Sequence, residues 1–166
     1  MYYINNFFIY SIFGYILESI TLFLIKSKGT SGILYGPWTF IYGIGVVIII
    51  ILEKLVFSKK NWNKWLKRIL LFIIVSIMLS FIEWIGGILI EKILHKTFWD
   101  YSNHLLNIGK YISVEMCLVW GTLSLLFIYL LKPITDKLIK KIPNFLTYIL
   151  IVLMIVDFIF TLKKGL

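Results

Sequence analysis

The stretch Ile69–Glu91, ILLFIIVSIMLSFIEWIGGILIE, holds 22 residues up to Ile90 with one formal charge inside, Glu83. As a helix those residues rise about 33 Å, enough to cross a hydrocarbon core of roughly 30 Å. A charge at mid-span costs about 2.5–3.5 kcal/mol on translocon-type scales, so such a carboxylate marks a functional site by default. No basic residue lies within the run to pair with it.

The remainder of the chain fits the same solvent. Of 166 residues, 60% are hydrophobic and 17% aromatic, with a mean hydropathy of +0.94. Further apolar runs predict spans over residues 2–25, 33–52, 112–131 and 145–162. The second of these reaches back to Ile33 if Pro37 opens the helix, a first-turn position that suits proline. Pro133 reads as the stop of the fourth. Helices are expected rather than barrel strands, because the runs greatly exceed 9–11 residues and do not alternate. The fold expected is an all-α integral membrane protein, one transmembrane domain of about five helices. The start, MYYINNFFIYSIFGY, lacks a basic n-region and a small-residue cleavage site, so it reads as a retained span.

The formal charge of +9 would suggest nucleic acid in a soluble protein, but here the cations sit between the apolar runs. Ten of the seventeen basic residues fall in two connections: Lys54, Lys59, Lys60, Lys64, Lys67 and Arg68, then Lys132, Lys137, Lys140 and Lys141. The other side carries Lys26, Lys28, Lys92, Lys96, Lys110, Lys163 and Lys164. The bias predicts a cytoplasmic N-terminus and an outer C-terminus in a bacterial cytoplasmic membrane. In that topology Glu18, Glu83, Glu115 and Asp157 all lie toward the outer leaflet. Ser76, Ser80, Glu83 and Gly87 form one helical stripe, as do Ser11, Gly14, Glu18 and Thr21. Stripes of this kind suit close helix packing with hydrogen bonds across the interface.

Lys54–Arg68 and Lys132–Lys141 are expected to meet anionic lipid, with Trp62 and Trp65 at headgroup level, or to dock a partner. The outer connection HKTFWDYSNHLLNIGK, residues 95–110, reads as an aromatic cap. His95, Asp100 and His104 fit no stringent metal spacing, and no metal or other cofactor is expected. The single Cys117 excludes an intrachain disulfide. No P-loop, G-x-S-x-G elbow or H-E-x-x-H helix is present.

FGYILES (Phe13–Ser19), ILYGPWTFIYGIG (Ile33–Gly45), IEWIGGILIEKIL (Ile82–Leu94), WDYS (Trp99–Ser102) and WGTLSLLFIYLLKP (Trp120–Pro133) occur in that order. Together they resemble the type IV ABC-transporter permeases, a family of small bacterial polytopic membrane proteins. The resemblance marks Glu18, Gly36, Pro37, Tyr42, Gly43, Glu83, Trp99, Asp100, Tyr101, Trp120 and Gly121 as motif positions. It departs around Asn107–Cys117, in LNIGKYISVEMC, where the family carries a short Asn-Gly element. It implies a transport role with a separate nucleotide-binding subunit.

The first expectation is a transport subunit with an outer-leaflet acidic site for a cation or cationic solute. Glu18, Glu83, Glu115 and Asp157 would bind it, Glu18 and Glu83 as the central carboxylates, with Tyr35, Trp38, Trp99, Asp100 and Tyr101 at the rim. Aromatic faces suit organic cations. The alternatives are a membrane-embedded enzyme or lipid-handling protein, and a structural or regulatory subunit. Five spans are few for a complete transporter, so a homo-oligomer or larger complex is expected.

Overall fold

In a bilayer every backbone N–H and C=O must find its partner within the protein, and long apolar runs meet that demand as helices. The computed structural model of the chain describes residues 1–26, 31–58 and 61–164. It is 75% helical with almost no strand. The order is α1 (Tyr2–Leu24), α2 (Phe40–Leu52), a π turn (Glu53–Phe57), α3 (Lys64–Leu94), β1 (Asn107–Ile108) and β2 (Ile112–Ser113). Then follow α4 (Val114–Leu126), a second π turn (Phe127–Leu131), α5 (Lys132–Ile139) and α6 (Asn144–Lys164). Among the described residues, four helical stretches are long and apolar enough to cross a membrane: Tyr2–Leu24, Lys64–Leu94, Val114–Ile139 and Asn144–Lys163. Lys28, Lys59 and Lys60 of the charge count lie outside the described residues.

Three boundaries differ from the sequence expectation. The helix expected from Ile33 begins at Phe40, and residues 31–37 are bends. Pro37 therefore sits ahead of α2 and does not open it. The run 69–90 is the apolar centre of a 31-residue helix that starts under an Asn63 cap, whose Oδ1 accepts from Trp65 N at 3.0 Å. It ends where His95 turns left-handed at φ 53. Pro133 is not a stop. The helix ahead of it loosens into a π turn in which Lys132 N–H reaches Phe127 O, five residues back, and helical structure continues to Ile139. A proline ring clashes with the carbonyl four residues earlier, and a π turn is one way for a helix to absorb that change.

The chain divides into two compact units, residues 1–47 with 135–166, and residues 48–134. In the first, Phe8, Leu34 and Trp38 form a buried cluster flanked by Phe7, Ile12, Phe40, Leu150, Ile151 and Met154. Polar ties are buried there too: Thr147 Oγ1 donates to Asn5 Oδ1 at 2.6 Å. In the second unit α3 packs along α4, burying Leu71, Val75, Leu79, Trp120 and Phe127. The approach is close because glycines line it. A Cβ on Gly121 would overlap Ser76 Oγ and the Phe72 ring, and one on Gly87 would overlap the Tyr111 ring. Small residues at such crossings let backbones approach.

Candidate functional site

Steps of four, three and four place Ser76, Ser80, Glu83 and Gly87 on one side of α3, and all four are buried. Glu83 is 7% exposed. A carboxylate removed from water is tolerable only when its oxygens are hydrogen-bonded. Here each oxygen has a donor: Tyr101 Oη donates to Oε1 at 2.7 Å and Trp120 Nε1 donates to Oε2 at 2.9 Å. One turn earlier, Ser80 Oγ lies 2.8 Å from Cys117 Sγ. Glu83 thus ties α3 to α4 through Trp120, and ties α3 to the connection 95–113 through Tyr101.

That connection is built to present Tyr101. Asp100 Oδ1 accepts from Ser102 N at 2.8 Å, a local turn that aspartate favours. Tyr101 N donates to Lys110 O at 2.8 Å and His104 N donates to Tyr101 O at 2.8 Å. The short hairpin pairs Asn107 with Ser113 and Ile108 with Ile112. Gly109 turns it at φ +68, where a side chain would be strained. Ser113 then caps α4, its hydroxyl accepting from Met116 N at 3.2 Å. Tyr111, buried against Gly87, meets Trp99 edge-on at 6.1 Å between centroids.

At the end of α3, Glu91 accepts from the Lys110 ammonium, the Tyr111 hydroxyl and Thr97 Oγ1. The hydrogen bond to Glu91 raises the Lys110 pKa above its usual value. Hydrogen bonds from Ser102, side chain before backbone, hold the Asp100 carboxyl below its usual range. Burial first, and then the bond to Glu91, push the Tyr111 hydroxyl up.

The first unit has an acidic cluster of its own. Asp157 of α6 accepts from Tyr35 N at 3.2 Å, Gly36 N at 2.8 Å and Trp38 Nε1 at 2.8 Å. Gly36 is required by closeness, since a Cβ there would overlap Trp38 Nε1 and crowd Asp157 Oδ2. Half-buried Glu18 of α1 accepts from Ser31 Oγ at 2.9 Å. Thr39 N donates to Ser11 O at 3.0 Å. Residues 31–39 are therefore fastened to α1 at two points and to α6 at one.

The family model described as "Putative ABC-transporter type IV" matches residues 5–162. The chain belongs to this family. It is an ABC-transporter-related, multi-pass membrane protein, a reading that its apolar helices and this membership both fit. No curated protein and no solved structure matches it.

The motif positions fall mostly on the two carboxylate clusters. Gly36 and Pro37 lie in the segment held by Asp157, and Tyr101 and Trp120 both donate to Glu83. Tyr42 and Gly43 pack against α1 at Gly14 and Ser11. Of the residues expected at a solute site, Trp38 is buried and packs edge-on against Phe8 at 5.8 Å. Tyr35 and Asp100 are exposed, and Trp99 is half-buried. Glu115 lies 3.8 Å from His104 Nδ1. Glu18 and Asp157 belong to the first unit, Glu83 and Glu115 to the second. Among the described residues no group of His, Cys, Asp and Glu is placed to hold a metal ion.

Polar pairings with no counterpart in the sequence reading include Glu91 with Lys110 and Tyr111, Tyr10 Oη with Thr135 Oγ1 at 2.8 Å, and Tyr2 Oη with Asp136 Oδ1 at 2.6 Å. A signal existed only for the first. Glu91 extends the α3 stripe by one further step of four from Gly87.

Proposed function

We propose that the chain is a permease-type subunit handling a cation or cationic solute. Glu18 supplies the carboxylate for the solute. Glu83 and Asp157 instead hold the connections 95–113 and 31–39 against their own helices. The observation that carries this division is how the acids are occupied. Glu83 and Asp157 take donors on both oxygens, whereas half-buried Glu18 takes, among the described residues, a neutral serine hydroxyl on one. A carboxylate with a donor on each oxygen has fewer lone pairs left for an incoming cation than one with a single neutral donor. Tyr35, 61% exposed and in the same unit as Glu18, adds an aromatic face suited to an organic cation.

Nucleotide hydrolysis would come from a separate subunit, since the sequence carries no P-loop. The connection Lys54–Arg68 is the surface for that subunit and for anionic headgroups. The Arg68 guanidinium stands 5.1 Å over the Trp65 ring and 5.0 Å over the Tyr129 ring, and Lys132 Nζ lies 3.3 Å from Glu53 Oε2. The similar basic stretch Lys132–Lys141 meets the same lipid. Helix α2 with its π turn covers residues 40–57, about 27 Å of rise, and is taken as a fifth crossing. The N-terminus is then cytoplasmic and the C-terminus outside, in a bacterial inner membrane. Five crossings per chain fit a homo-oligomer or a larger complex.

A structural or regulatory subunit is the second reading, favoured by the filled acceptors on Glu83 and Asp157. Ethidium and rubidium flux into vesicles holding the chain with its co-purified partners separates the two. Glu18→Gln abolishes flux in the first reading, with folding unchanged. Wild-type flux in Glu18→Gln, from vesicles where the chain itself is required, supports the second and overturns the first.

A further inference from the structure

The hairpin that closes the connection 95–113 leaves apolar side chains open. Leu105 is 91% exposed, Ile108 64% and Leu106 55%. Its register decides which side they take. Ile108 pairs with Ile112, and Val114 N donates to Leu106 O at 2.9 Å, so Leu106, Ile108, Ile112 and Val114 share one side of the hairpin. That side runs into α4, whose first residue is Val114, and Leu118 one turn further on continues it, more than half exposed. The stretch Val114–Ile139 is long and apolar enough to cross a membrane, so the open face of α4 has lipid for its neighbour. The polar groups of the hairpin are meanwhile satisfied from within. Asn107 pairs with Ser113, Asn107 Nδ2 donates to Gly109 O, Tyr101 N donates to Lys110 O, and the Leu106 backbone bonds to the Glu115 carboxylate. Residues 105–114 hold one cation, Lys110, and Glu91 engages it.

We propose that the hairpin 105–114 is a lipid anchor, which sets Leu105, Leu106 and Ile108 among acyl chains at the end of the bilayer where α4 begins. Two observations carry it: the apolar side of the hairpin is continuous with the lipid-facing side of α4, and its backbone is paired. Apolar side chains gain by leaving water, and a segment whose N–H and C=O groups are bonded within the protein can follow them into the interface. Interfacial binding draws on buried apolar area and on attraction to anionic headgroups. With Lys110 engaged by Glu91, the first of these dominates here, and the ligand is the acyl-chain boundary of the leaflet. The anchor holds in either orientation of the chain and does not depend on the permease reading. Its consequence reaches the buried carboxylate. Tyr101 is bonded through its backbone to Lys110 of the hairpin and through its hydroxyl to Glu83, so the lipid level of the hairpin fixes that of Tyr101 on Glu83.

The test is a depth measurement by spin-label electron paramagnetic resonance on the full chain in liposomes. Cys117→Ala removes the native thiol, so each label sits on one introduced cysteine. Labels are placed by Ile108→Cys and, as a control for the affinity of the label itself, by Asn103→Cys at an exposed polar position of the same connection. Each is read for collision with oxygen, which enriches in the bilayer, and with nickel–EDDA, which stays in water. The label at position 108 is expected to favour oxygen and the label at position 103 nickel–EDDA. Both results should be the same in phosphatidylcholine and in phosphatidylcholine mixed with phosphatidylglycerol. Adding Leu105→Ser and Leu106→Ser, at exposed positions that folding tolerates, should move the label at position 108 toward water. Equal depth at the two positions overturns the proposal, as does a depth at 108 that the two serines leave unchanged or that needs phosphatidylglycerol. A label at 108 shielded from both reagents and broadened by a second spin also overturns it, since a second copy of the chain would then cover the hairpin.

Discussion

The Trp120 indole N–H donates to Glu83 Oε2 at 2.9 Å across 37 residues of sequence. The bond joins α3 to α4 at a point where both side chains are buried. Tyr101 completes the arrangement from the other oxygen. A costly carboxylate thereby becomes the fixed point of the second unit, because three otherwise separate segments satisfy one another there.

The glycines of this unit differ in what surrounds them, and their variants should differ accordingly. A Cβ on Gly121 would overlap Ser76 and Phe72, while one on Gly86 meets nothing within 4 Å. Gly121→Ala is expected to destabilise by about 1–3 kcal/mol through overpacking. Gly86→Ala is expected to be neutral or to stabilise by up to about 1 kcal/mol through helix propensity. Equilibrium unfolding in mixed SDS micelles reads both. Equal effects of the two substitutions would contradict the close approach of α3 and α4.

Asp157 makes a parallel case in the first unit. Asp157→Asn keeps an oxygen for Gly36 N and Trp38 Nε1, so a loss of about 1 kcal/mol is expected. Asp157→Ala removes all three acceptor contacts and should cost about 2–4 kcal/mol. Hydrogen exchange of residues 31–39 should rise in the order wild type, Asn, Ala. Unchanged exchange in the alanine variant would show that the segment is held by other contacts.

How much of this was legible in the sequence follows from the range of each interaction. The spacing of Ser76, Ser80, Glu83 and Gly87 is local, so the buried face of α3 could be read directly. The partners of Glu83 could not, because they lie 18 and 37 residues away and no periodicity links them. The stripe through Ser11, Gly14, Glu18 and Thr21 was only half informative. Ser11 and Gly14 are buried, but Thr21 is exposed and bonds back to Leu17 O. Pro133 looked like a stop because the π turn that absorbs it leaves no mark in hydropathy. Strands of two residues, Asn107–Ile108 and Ile112–Ser113, are too short to show alternation.

The charges at the end of α3 give a definite pH dependence. The Lys110 pKa is raised by its bond to Glu91, so its stabilising contribution is complete below its usual value of 10.5 and disappears as pH climbs through the raised one. The Asp100 pKa is lowered by Ser102, so its contribution is complete above 3.8 and disappears as pH falls through the lowered one. Neither changes between about pH 5 and pH 9. Thermal unfolding of Lys110→Met should show lower stability at neutral pH and a smaller alkaline loss than wild type. An alkaline loss equal to that of wild type would remove Lys110 from this role.

The central claim is that buried Glu83 is a structural acceptor shared by α4 and the connection 95–113. A double-mutant cycle of Glu83→Ala and Trp120→Phe, followed by equilibrium unfolding in mixed micelles, measures it most directly. The account predicts a coupling energy of about 1–3 kcal/mol, the cost of leaving a buried polar group without its partner. Additivity of the two substitutions within about 0.5 kcal/mol would contradict it.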